Sequence, residues 1–116
     1  MYRSFFIFLL STCFSAAISQ DTIYDLFKFK DKYKLGETMI ANGDFREAGY
    51  IFNELRFSDK TNANLCFKTG FCFLKAYMNK ELALQYLKQA EKHISEDYKF
   101  GNWKERKAPV ETYYYL

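Results

Sequence analysis

Between Asp25 and Asn42 the apolar residues fall at Leu26, Phe29, Tyr33, Met39 and Ile40, the spacing of one helical face. Thr22, with Asp25 three residues later, makes a capping box with Asp in the Glu position. Asn42-Gly43-Asp44 is a stop signal, because glycine tolerates the left-handed backbone that ends helices. A second helix is predicted from Phe45 to about Phe57, with Ala48, Ile51, Phe52 and Leu55 on one side. The two form a helical hairpin.

The pattern then returns. Gly36 and Gly70 lie 34 residues apart. Ala48, Phe52 and Leu55 are matched by Ala83, Leu87 and Ala90 at the same internal spacing, now 35 residues on. One residue is therefore added in the turn at Tyr77-Met78-Asn79. The reason for these residue types is close packing. A small side chain at Gly36 and Gly70, and at Ala48 and Ala83, lets paired helices approach, and Phe52 and Leu87 fill the remaining space.

Lys34-Leu35-Gly36, Asn42-Gly43-Asp44-Phe45-Arg46-Glu47-Ala48 and Phe52 together resemble the tetratricopeptide repeat signature. The second copy, Gly70 to Ala90, is looser, with Thr69 where Leu is usual and no Gly-Asp turn. The two copies cover Phe29 to about Glu91. The resemblance implies an all-α superhelix of helical hairpins, about two repeats and the start of a third. It makes Gly36, Ala48, Phe52, Gly70, Ala83, Leu87 and Ala90 the packing positions. It also implies a partner groove lined by the first helix of each repeat. The family's groove positions fall on Tyr33, Glu37 and Ile40, then Asn64, Phe67, Phe71, Leu74 and Lys75, then Glu111 and Tyr114. Aromatic residues at helical spacing also serve as core, and Phe67, Phe71, Tyr33 and Tyr114 stand open between the two roles.

Residues 20–94 form the repeat region on this reading, and a polar, charged insertion follows over residues 95–108. Pro109 opens the first helix of a third repeat at residues 109–116. A helix that short is not stable alone, so the expectation is a fragment of a longer protein, or a stack completed by another chain. The leader, the Gly-Asp-Phe repeat, the long second repeat and Ala108-Pro109-Val110-Glu111-Thr112-Tyr113-Tyr114-Tyr115-Leu116 look like the start of certain Bacteroidetes envelope proteins. Members of that group continue into a β-propeller and an OmpA-like peptidoglycan-binding domain, and some are tied to gliding motility or type IX secretion. No residue of this chain matches those later domains.

The N-terminus supplies the leader. Arg3 precedes an apolar run from Phe5 to Phe14, and Ala17-Ile18-Ser19 fits a signal-peptidase site, so residues 1–19 read as a signal peptide cut before Gln20. The run is short for a span of about 20 residues; a retained anchor and a lipidated Cys13 are the alternatives. Loss of the leader leaves Cys66 and Cys72. Six steps of about 100° place them far apart around one helix, so they act as small core residues and do not bridge. His93 is the sole histidine and no zinc pattern exists.

Charge narrows the function classes. The net charge is +3, with both signs intermixed, where a nucleic-acid binder shows a basic stripe. Ten Tyr and thirteen Phe supply contact area, which suits recognition of a peptide or helix. Glu37 and Glu111 have no spacing that makes them a catalytic pair, and His93 reads as a solvated last turn. The expectation is a non-catalytic protein–protein interaction scaffold of the cell envelope, periplasmic or outer-membrane associated. Its partners are other envelope proteins or peptides, with no nucleic acid and no small-molecule cofactor. Membrane contact is indirect or through the leader. A membrane-held adaptor and a chaperone-like holdase are the alternatives.

Overall fold

The computed structural model describes residues 25–116. The leader, the lipidation alternative at Cys13 and the Thr22 cap lie outside the described residues. The chain divides into two units, Met1–Lys30 and Asp31–Leu116. Of the first unit, residues 25–30 are described and helical.

The second unit is all-α. Residues 31–41 form α1, followed by α2 (Phe45–Ser58), α3 (Ala63–Lys75), α4 (Lys80–Glu91) and a single turn, α5 (Thr112–Tyr115). Each of α2 to α5 packs on the next in chain order. Among the described residues the only β-type pairing is an isolated parallel bridge between Ile94 and Ala108.

The glycines decide how the pairs meet. A Cβ on Gly36 would lie 2.7 Å from Cζ of Phe52, across the α1–α2 contact. A Cβ on Gly70 would lie 2.8 Å from Cγ of Leu87 and 2.9 Å from the carbonyl oxygen of Ala83, across the α3–α4 contact. Gly36 with Phe52 and Gly70 with Leu87 are thus the same contact made twice. Phe52, Leu87, Ala48, Ala83 and Ala90 have no exposed surface. Burying Phe52 or Leu87 contributes about 1.5–3 kcal/mol each.

The turns repeat atom for atom. At the end of α1, Asn42 N donates to Thr38 O, Gly43 N to Ile40 O and Asp44 N to Met39 O. At the end of α3, Ala76 N donates to Cys72 O, Tyr77 N to Leu74 O and Met78 N to Phe73 O. Both are Schellman endings, and every pair of counterparts is 34 residues apart. Gly43 has φ +82° and Tyr77 has φ +54°. The added residue comes next. In the first turn Asp44 both closes α1 and precedes α2, its carbonyl accepting from Ala48 N at 3.0 Å. In the second, Met78 closes α3, and Asn79 takes over as the N-cap whose carbonyl accepts from Ala83 N at 3.0 Å. The spacing changes from 34 to 35 at Asn79.

Cys66 and Cys72 are free and buried. Cys66 belongs to the main core with Ala63, Phe67, Leu87, Ala90 and Ala108. The span expected as one helix over residues 109–116 is shorter: Thr112 N and Oγ1 both donate to Pro109 O, and the helix covers Thr112–Tyr115 only.

Candidate partner-binding face

Side chains of α3 reach α1 on one side and α5 on the other. Asn64 Nδ2 donates to the Tyr33 hydroxyl at 2.9 Å, joining α3 to α1. One turn further on, the Lys68 ammonium pairs with the Glu37 carboxylate. The Glu37 oxygen nearest it is sealed from solvent and takes no other bond. Lys68 Nζ also stands 5.5 Å from the ring centres of both Tyr33 and Phe52, a cation held between aromatic faces. On the other side, Tyr115 of α5 meets Phe71 at 5.3 Å and Phe67 at 6.3 Å between centroids.

The lower half of this face is covered. Tyr98, from the segment after α4, donates its hydroxyl to Asn64 Oδ1. Asn64 Nδ2 also donates to Glu105 O at 3.2 Å, and Asn64 N donates to Arg106 O at 3.2 Å. The Arg106 guanidinium forks onto Asp59 and reaches Thr61 Oγ1 at 3.2 Å. Arg106 holds the Asp59 carboxyl below the usual range. Burial pushes both the Tyr33 and Tyr98 hydroxyls above the ordinary phenol range, so both stay protonated and available to this network.

The groove assignment of Asn64 therefore needs correction, and Tyr33 and Phe67, which stood open between groove and core, fall to the core. Tyr33 and Asn64 have no exposed surface: Asn64 is bonded by Tyr98, Glu105 and Arg106 of the segment 94–108, and Tyr33 is bonded to Asn64. They are internal connectors. Phe67 is 9% exposed and packs in one core cluster with Ala108. Glu37 is half-buried and committed to Lys68.

The upper half is open. Phe71 and Leu74 are half-buried and Lys75 is exposed. The Lys75 ammonium lies 5.8 Å from the Phe71 ring and 6.0 Å from the Tyr115 ring. Tyr114 is 83% exposed, with its ring 5.0 Å from Tyr115. Phe45, at the start of α2, closes the row with an edge contact to Phe71 at 5.9 Å. Phe71, Lys75 and Tyr114 are thus brought, with Tyr115, into one aromatic row with a cation, whereas Leu74 packs against the core clusters. Ile40 is half-buried and Glu111 exposed, each outside the row of ring contacts.

Compared with protein-family models, curated proteins and solved structures, the chain matches none.

Sequence reasoning missed Tyr115, Phe45, Tyr98 and Arg106. Tyr115 had a signal, since it belongs to the aromatic run Tyr113-Tyr114-Tyr115. Tyr98 and Arg106 had none, because a polar segment carries no period that tells where it will land. Arg56 was missed too. It is buried between α2 and α4, its guanidinium 4.2 Å from the Tyr86 ring centre, with Nη2 donating to the Tyr86 hydroxyl at 3.1 Å and Nε to Asn53 Oδ1 at 3.0 Å.

Proposed function

We propose that this chain is a non-catalytic, tetratricopeptide-type scaffold of the bacterial cell envelope that captures other proteins on its α1–α3–α5 face. On this reading it is exported, and it resembles the N-terminal repeat region of OmpA-family envelope proteins associated with gliding motility or type IX secretion. The observation that carries the proposal is the aromatic row of Phe71, Tyr115 and Tyr114 beside Lys75. Half-exposed rings bring large contact area at low entropic cost, and a flanking cation adds direction. The titratable groups under the covered half are already engaged, which supports holding over chemistry. Glu37 is tied to Lys68, and Tyr33 to Asn64, so neither is placed to move a proton to or from a bound molecule.

The test uses surface residues whose loss leaves the core alone. Immobilised wild-type chain should retain a defined envelope protein from an extract, and Tyr114→Ser with Lys75→Glu should abolish that retention without moving the melting temperature. Retention equal to wild type would overturn the proposal.

A further inference from the structure

Residues 94–108 are built as one piece. Their ends are fastened together, Ala108 N donating to His93 O and Ser95 N to Ala108 O, both at 2.9 Å. The Glu105 carboxylate ties the interior, accepting from Lys99 N and Lys107 N at 3.1 Å each. Tyr98 and Phe100 meet edge to face at 4.8 Å, and Gly101 turns the tip with φ +73°. This is a compact Ω-loop with its own internal bonds. Ala108 anchors one end in the core, whereas Phe100 at the tip is 75% exposed.

What fastens the middle of this loop to the helices is polar: a phenol on Asn64, two backbone carbonyls on Asn64 and a guanidinium on Asp59. Such bonds exchange for water or for another polar chain at small net cost. Beneath the loop, Asn64 directs two of its three side-chain bonds at it. An asparagine with no exposed surface would be left short of partners if an apolar group took the loop's place.

We propose that the 94–108 loop is an intramolecular ligand: it fills a polar peptide-binding site formed by Asn64 of α3 and Asp59 at the end of α2, and a partner gains that site by displacing it. The chemistry of the loop defines the partner. It is an extended segment that offers a hydroxyl donor and a backbone carbonyl to Asn64 and a guanidinium to Asp59, as Tyr98, Glu105 and Arg106 do. This inference rests on the scaffold reading above and extends its face from the aromatic row to the covered half.

The probe is a synthetic peptide of residues 94–108. A chain in which residues 95–107 are replaced by a Gly-Ser linker of equal length should bind the peptide, and wild type should bind it at least about tenfold more weakly. The same peptide carrying Tyr98→Phe and Arg106→Ala should lose that binding. A linker variant that stays helical but ignores the peptide, or equal binding by both chains, would overturn the proposal. Should the linker variant not fold, amide hydrogen exchange on the wild-type chain decides. Ser95, Asn64 and Ala108, whose N–H groups are bonded within or to the loop, should exchange together and faster than the interior of α3, and Tyr98→Phe should speed them about tenfold. Exchange only in step with the α3 interior would make the loop a fixed part of the fold. The scaffold reading fails separately, through the retention assay on Tyr114 and Lys75, which does not involve this loop.

Discussion

Gly36 and Gly70 occupy like positions but are not equally replaceable. The atom facing Gly36 is the far end of the Phe52 ring, which can swing by a few tenths of an ångström. Gly70 faces the Ala83 backbone oxygen as well as Leu87, so a methyl there must move helix against helix. Both Gly→Ala changes should destabilise by about 1–3 kcal/mol, with Gly70→Ala the worse, as chemical denaturation will report. Tyr77 gives the opposite case. A tyrosine at φ +54° carries strain that Gly43 avoids at the equivalent place, and its side chain is 96% exposed. Tyr77→Gly should raise stability by about 0.5–1 kcal/mol. Burial also fixes the response to base. The Cys72 thiol is pushed up to about 12, and the Tyr33 and Tyr98 hydroxyls rise as well. Groups with raised values contribute their full stability below the unfolded values of 9.0 for Cys and 10.0 for Tyr. That contribution is lost as pH climbs toward the folded values. Stability should therefore fall progressively above about pH 9, and both thiols should resist alkylation at neutral pH unless the chain unfolds.

At the scale of elements, the caps separate the two hairpins. Asn62 and Asn79 each accept a hydrogen bond from the backbone N–H three residues on, at 3.2 and 3.1 Å. Asp44 makes no such side-chain bond. Asn62→Ala and Asn79→Ala should each cost about 1 kcal/mol and Asp44→Ala distinctly less, measured by thermal melts. The four long helices and the two glycine contacts were legible in the sequence because they depend on local period and on side-chain size, which any register of the hairpin must respect. Even the extra residue at Asn79 was visible, as the step from 34 to 35. The face was legible only in part. Tyr33 and Asn64 carry groove spacing, yet what covers them comes from 34 residues beyond Asn64, and a polar loop leaves no periodic trace of its destination. The end of the chain misled for a related reason: the Pro109 signal marks a helical turn correctly, but Thr112 folds its hydroxyl back onto Pro109 O instead of extending a longer first turn.

For the unit spanning Asp31–Leu116, one organisation follows from these parts. Two hairpins with the same turn and the same glycine contact present a face on which α3 side chains meet α1 and α5, half of it under a loop and half open as aromatic rings beside Lys75. On the function proposed above, the open half is where another protein sits. A photo-crosslinking amino acid placed at Tyr114, and in a separate chain at Tyr50, measures this directly, since both positions are exposed but Tyr50 lies on α2, outside the α1–α3–α5 row. A discrete crosslinked partner is expected from position 114 and none from position 50. Crosslinks from position 50 alone, or equal yields from both, would contradict that function.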